Sequence, residues 1–258
     1  MATSEKINIR GLDFDNVTMD EALDLIDDAI KAGQRYIVFT PNAEIVQMTL
    51  EDESFREIVR SADMLVPDGA GVVLASKILK KRLKTKVAGC ELAERLVEKS
   101  AKGDLKIFFY GSKPETDEGM PVCELAEKRL AEKYEGFKCV GTSHGYVKQD
   151  GMDALVEKIN SSGADVLFVC LGVPMQEKWI SENAHRLTPR VIIGLGGTLD
   201  VFAGTVRRAP RFFIKANLEW LYRLLCEPKR LGRMMKLPKF IFGTVWVRLT
   251  KKEEMADK

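Results

Sequence analysis

Met64-Leu65-Val66-Pro67-Asp68-Gly69-Ala70-Gly71 is the stretch on which the reading of this chain turns. Residues 64–66 are apolar and read as the end of a strand. Pro67 has no N–H to give to a ladder, so strand pairing stops there. Asp68 then falls on the turn. Gly69 and Gly71 permit a bend and a close approach of a ligand to the backbone, and an apolar helix over 72–79 follows. An acid between a strand end and a helix start is where open α/β sheets hold their chemistry. The same position suits a helix-capping Asp. Spacing alone leaves both readings open.

The pattern on either side repeats that unit. Thr18-Met19-Asp20-Glu21 is a capping box, and Ala22, Leu23, Ile26, Ala29 and Ile30 follow at helical spacing. Strands are expected at 7–9, 36–39, 106–110, 137–140, 166–171 and 191–195. Helices are expected at 43–50, 53–61, 91–102, 114–134 and 151–160, with Pro174 opening another. Gly119 and Pro121 weaken the start of the 114–134 helix. Strands alternating with helices at this interval imply an α/β fold, a mainly parallel sheet with helices on both faces. Beyond Gly204 the pattern is helical only, at 211–226, 229–236 and 238–250. The expected division is a Rossmann-like core over 1–204 and a basic helical appendage over 205–258.

Length and composition fit a soluble globular protein with a proper core: 258 residues, 45% apolar and 30% charged. The five cysteines show no metal or CxxC spacing, and most lie in apolar runs, as reduced buried thiols do. With only His144 and His185 available, a histidine zinc site or a histidine-based triad is poorly supported. The N-terminus is polar and no apolar run approaches the ~18 residues of a membrane span. The net charge of +2 hides an asymmetry. Residues 205–250 hold eleven Lys and Arg against Glu219 and Glu227, so a strongly basic segment follows an acidic body.

In a parallel sheet the strand ends converge on one edge. The residues expected there are Thr40 and Asn42, Asp68, Gly111 and Ser112, Gly172 with Gln176 and Glu177, and the Gly194-Leu195-Gly196-Gly197 turn. Glycine-rich strand-to-helix turns expose N–H groups that suit phosphate oxygens, and they are equally ordinary α/β turns. None of them spells a Walker loop or GxGxxG. Asp13-Phe14-Asp15 spells DxD, the diphosphate–metal motif of many sugar transferases, and also fits a solvated turn. Arg207, Arg208, Arg211 and Arg223 carry guanidinium forks that fit a diphosphate. Beyond them, Lys229, Arg230, Arg233, Lys236 and Lys239 mix with Phe240, Phe242 and Trp246. That mixture suits an anionic bilayer face, or a solvated helix with interface aromatics.

Together these residues resemble the WecG/TagA/CpsF family of bacterial glycosyltransferases. The resemblance runs over about 7–246. It rests on Thr40-Pro41-Asn42-Ala43, Pro67-Asp68-Gly69, Val87-Ala88-Gly89 and Gly172-Val173-Pro174-Met175-Gln176-Glu177. It extends through Gly194-Leu195-Gly196-Gly197 with Asp200, Arg208-Ala209-Pro210, and Leu218-Glu219-Trp220-Leu221-Tyr222-Arg223-Leu224 with Glu227-Pro228. It implies a Rossmann-like core and an inverting, metal-independent transfer with no cofactor. For the teichoic-acid type, it implies N-acetylmannosamine moving from a UDP donor to GlcNAc-diphospho-undecaprenol. By that resemblance Asp68 is the general base, and Thr40 and Asn42 fall on pocket positions. Lys86 stands where the family often has Arg; it keeps the charge and loses the bidentate fork.

The remaining substrate contacts expected are Lys86, Gln176, Gly194, Gly196 and Gly197 with Arg207, Arg208, Arg211 and Arg223, and no metal site. The expected partners are a UDP-sugar, the undecaprenyl-linked acceptor, an anionic membrane surface on the cytoplasmic side and, as for many enzymes, further copies of the chain. UDP-N-acetylmannosaminuronic acid or UDP-glucose are alternative donors within the family. A basic-tailed nucleic-acid-binding module is the alternative of another class; the acidic body and lack of a nucleic-acid motif count against it. An epimerase-type nucleotide-sugar enzyme is weakened by the missing GxGxxG.

Overall fold

The computed structural model describes residues 4–103, 105–207, 209–210, 212–213, 219–226 and 231–250, without the side chains of Glu219, Arg223, Cys226, Arg233 and Met234. Six strands form one sheet: β3 (Tyr36–Phe39), β4 (Met64–Leu65), β5 (Ile107–Gly111), β6 (Cys139–Ser143), β7 (Val166–Cys170) and β8 (Val191–Gly194). Their order is β4-β3-β8-β7-β5-β6, and every neighbouring pair is parallel. The central strands are apolar throughout because both faces are covered: all of Val166–Cys170 and Val191–Gly194 is buried. Two apolar clusters result. One holds Phe39, Phe108, Leu167 and Ile192, the other Val38, Phe109, Phe168 and Ile193. Alternate residues of the same strands feed opposite faces, as a pleat requires.

The N-terminal segment departs from expectation. Asp13-Phe14-Asp15 is not a turn but lies in β2 (Leu12–Asp15), antiparallel to β1 (Lys6–Ile9). The turn between them is Arg10-Gly11, with φ of 56° and 88°. Two successive left-handed residues give the two-residue hairpin, and Arg at the first of them carries no sequence signal for it. The DxD carboxylates are used within the fold. Asp13 Oδ1 accepts from Asn8 Nδ2 at 2.7 Å. Asp15 is buried, accepting from the Leu65 N–H at 2.8 Å and from the Ser4 hydroxyl. Asp15 therefore ties the hairpin to the strand that precedes Asp68.

Helix α1 (Met19–Lys31) begins at the expected capping box: Thr18 accepts from Glu21 N, and Glu21 from Thr18 N. Helices α2 (Ala43–Glu51), α3 (Glu53–Arg60), α4 (Ala70–Ile78) and α5 (Gly89–Lys102) follow. Helix α6 (Val122–Lys133) starts later than the apolar pattern suggests, because Gly119 adopts φ 72° and Pro121 takes the cap. The strand expected at 137–140 runs instead over Cys139–Ser143, with a register shift opposite Ile107 and Phe108. Helices α7 (Met152–Ser161), α8 (Met175–Asn183) and α9 (Thr198–Phe202) complete the body. Cys123 and Cys170 are buried free thiols; Cys90 and Cys139 are half-buried.

Past residue 204, helices cover Glu219–Cys226, Leu231–Met234 and Lys236–Thr250. The last of these lies against α2 and α4. Phe240 is fully buried in the cluster that holds Phe39, Ala43 and Val72. Lys236 and Lys239 both bond the Glu51 carboxylate at the end of α2, at 2.7 and 2.6 Å. The final helix is thus packed onto the body, and its opposite side exposes Phe242, Trp246 and Leu249, 74, 64 and 76% accessible.

Candidate functional site

All six parallel strands deliver their carboxyl ends to one edge, and the site residues expected at strand ends lie along it. Asp68 follows β4. Its N–H donates to Pro41 O at 3.1 Å, which joins the Asp68 turn to the end of β3. Gly69 holds the N-cap of α4 with φ 82°. An added Cβ there would meet nothing within 4 Å, so the positive φ, not crowding, asks for glycine. The capping position is therefore Gly69, and Asp68 stands one residue before it, half-buried. Gly71 has a different role from the one expected. A Cβ there would sit 2.8 Å from both Ala43 Cβ and Leu237 Cδ1. Gly71 lets the C-terminal helix close on α2 and α4 rather than a ligand on the turn.

Lys86 joins this end of the edge. The Val87 N–H donates to Pro67 O at 2.9 Å, so Lys86 and Asp68 flank one backbone hydrogen bond. Thr40, nearly buried, donates to Gly194 O at 3.2 Å. A Cβ on Gly89 would stand 3.0 Å from Thr40 Oγ1, which is why α5 can begin so near. Asn42 caps α2, its Oδ1 accepting from Ile45 N at 3.1 Å.

The β8 turn is held from beneath. Gln176, buried at the start of α8, accepts from the Gly196 N–H at 2.8 Å through Oε1 and donates to Glu177 Oε1 at 2.9 Å through Nε2. Its amide lies against Gly194, where a Cβ would come within 3.1 Å of Nε2. Gly196 adopts φ 57°. Its N–H is engaged by protein, so within this turn Gly196 serves the backbone course. Glu177, expected on this edge as part of the Gly172–Glu177 motif, has no role among the site residues expected from the sequence. It is 1% exposed, and its Oε2 is buried with no hydrogen-bond partner among the described residues. Burial pushes its carboxyl up to about 7, against a smaller opposing pull from Gln176. The signal available in the sequence was a carboxylate in the first turn of a helix that continues with Trp179 and Ile180, both buried.

At the far end, β5 and β7 diverge: the chain leaves β5 toward β6 and leaves β7 toward β8. That is a topological switch point. Gly111 is obligatory there, since a Cβ would lie 2.3 Å from Cys170 O. Ser112 adopts φ 61° and its hydroxyl donates to Asp200 Oδ2 at 2.8 Å. Of the arginines expected to meet a diphosphate, Arg207 is exposed just beyond α9. Arg208, Arg211 and the side chain of Arg223 lie outside the described residues.

The edge thus runs from a half-buried acid and a lysine at β4, past a buried polar network at β3 and β8, to a hydroxyl–carboxylate pair at the switch point. Open α/β sheets as a class hold their ligands outside the carboxyl ends of the strands, at such a switch point. The chain belongs to the glycosyl transferase WecG/TagA/CpsF family, whose model matches residues 7–254. It is similar to proteins named N-acetylglucosaminyldiphosphoundecaprenol N-acetyl-beta-D-mannosaminyltransferase. One from Bacillus spizizenii is 38% identical over 79% of this chain and 76% of its own. One from Staphylococcus aureus is 33% identical over 93% of this chain and 92% of its own. One from Bacillus subtilis is 36% identical over 79% and 77%.

Proposed function

We propose that this protein transfers N-acetylmannosamine from UDP-N-acetylmannosamine to GlcNAc-diphospho-undecaprenol, the step that builds the linkage unit of wall teichoic acid. The names borne by its relatives support the substrates. The observation that carries the chemistry is the position of Asp68 on the same edge as the β8 turn. Two interstrand steps separate β4 from β8, about 10 Å. A base–hydroxyl contact of ~3 Å, an attack distance of ~3–3.5 Å and a departing diphosphate fill such a span in line.

In the step, the acceptor hydroxyl gives its proton to the Asp68 carboxylate as its oxygen attacks the anomeric carbon. The bond from that carbon to the diphosphate oxygen breaks, and UDP leaves with the electron pair. One displacement inverts the configuration. Lys86 supplies positive charge beside the reacting end. Arg207, Arg208, Arg211 and Arg223 close over the diphosphate, and the nucleoside lies toward Ser112 and Asp200 at the switch point. With cationic side chains neutralising the leaving group, no metal is required.

The lipid acceptor calls for contact with a bilayer. No helix among the described residues is long and apolar enough to cross one. Phe242, Trp246 and Leu249, facing outward beside a strongly basic segment, support peripheral attachment to an anionic surface. The division of labour is a catalytic sheet over 1–204 and a basic segment over 205–258 that serves closure and attachment. The test is a donor screen with a soluble lipid-diphosphate–GlcNAc analogue, with and without EDTA. UDP-N-acetylmannosamine is expected to be consumed fastest, unaffected by EDTA. Preference for UDP-N-acetylmannosaminuronic acid or UDP-glucose would reassign the donor, and loss of turnover in EDTA would refute metal independence.

A further inference from the structure

The Glu177 carboxyl is sealed under the candidate site and has no part in the step just described. An amide such as Gln176 can sit in its slot in two ways, related by exchange of O and N. Only one way gives the Gly196 N–H an acceptor. Glu177 reinforces that choice from the other side of the amide. Its Oε1 is 2.9 Å from Gln176 Nε2 and accepts there when the carboxyl is ionised or carries its proton on Oε2, so the NH2 is drawn to Glu177 and the oxygen is left for Gly196 at 2.8 Å. The reversed amide would set a donor against the Gly196 N–H and the Gln176 oxygen against Glu177. At a buried site such a mismatch costs the desolvation of each unpaired group. The Gly196 bond in turn holds a left-handed residue of the β8 turn, whose Gly194 carbonyl accepts from Thr40 and whose neighbour Pro41 accepts from Asp68 N. The hydrogen bonds run from Glu177 through Gln176 to the β8 turn, and from that turn to the strand end beside Asp68.

We propose that Glu177 is a positioning residue: acting through Gln176, it fixes the orientation of the β8 turn without touching substrate. The proposal rests on reading that turn as part of the transfer site, and its structural half is measurable without any transfer. In the wild type, amide hydrogen exchange should find Gly196 protected well above Gly197. In Glu177→Met, which keeps side-chain length and removes the acceptor, Gly196 protection should fall about tenfold. Turnover should fall about 10- to 100-fold, with the donor KM nearly unchanged, as expected for misplacement without lost binding. Glu177→Gln retains an acceptor oxygen and should restore both.

Several outcomes would overturn the proposal. Gly196 exchanging as fast as Gly197 in the wild type is one, and it stands even if the Met variant does not fold. Unchanged Gly196 protection in a folded Glu177→Met is another. Equal losses in the Met and Gln variants that track melting temperature would make Glu177 a packing residue only. A wild type that transfers no sugar, with Gly196 protection lost only in the Met variant, would remove the functional reading and leave the positioning role standing.

Discussion

The sheet body and the C-terminal helix are held by different means, and the contrast separates what folds the protein from what remains available to other molecules. The body buries whole strands between two apolar clusters. The helix Lys236–Thr250 meets it through the buried Phe240, through Leu237 against Gly71, and through two lysines on Glu51. Its other side leaves Phe242, Trp246 and Leu249 in solvent. Burial of such side chains elsewhere is favourable by about 1.5–3 kcal/mol each, which is what a bilayer face offers. The body's strands are covered on both faces, whereas the helix leaves one apolar side exposed.

The sharpest way to break the comparison is Phe240→Ala. Loss of a buried Phe costs about 3–5 kcal/mol. Amide exchange across the C-terminal helix should rise while the strands remain protected. Collapse of both together would show that the helix is part of one cooperative unit. Next, Arg207, Arg208, Arg211 and Arg223 replaced together by Ala should lower turnover on a soluble acceptor analogue by about 100-fold or more, with melting unchanged. Activity that survives on the soluble analogue and fails only on vesicles would confine the basic segment to attachment.

The two regions also respond to pH in opposite senses. Glu177 in the body has its carboxyl raised from 4.5 to about 7 by burial. The folded state then holds a proton that the unfolded chain releases. Its stabilising contribution is full below 4.5 and is lost as pH rises toward about 7, a change of roughly 3 kcal/mol. Denaturant titrations across that range should show the slope, and Glu177→Gln should remove it. Glu51 on the helix side is lowered to about 2 by Lys236 and then Lys239, so its contribution is present above 4.5 and fades as pH falls toward about 2. The pair is substantially exposed and screened by salt, so Glu51→Gln should loosen the helix by no more than about 1 kcal/mol, less at high salt.

How much of this could be read in advance follows the same division. The parallel sheet was legible because its buried strands are continuous apolar runs between glycine and proline turns, and the α1 cap because Thr18 and Glu21 stand three apart. The N-terminal hairpin was not, since Arg10 takes a left-handed conformation that an arginine does not signal in sequence. Asp68, Thr40, Gln176 and the β8 glycines were placed on one edge by strand ends, and Lys86 came only from the family resemblance. What spacing could not supply was where a side chain is spent. Gly71 serves Leu237, the Gln176 amide serves Gly196, and the Glu177 carboxyl is sealed in the interior. Each depends on a neighbour distant in sequence.

The central claim is that Asp68 takes the proton of the attacking hydroxyl, and Asp68→Asn tests it most directly, since the change keeps shape and removes basicity. Turnover should fall by about 10²–10⁴-fold while UDP affinity and melting temperature stay near those of the wild type. Turnover within a few-fold of wild type in that variant, with the donor still bound, would contradict the account.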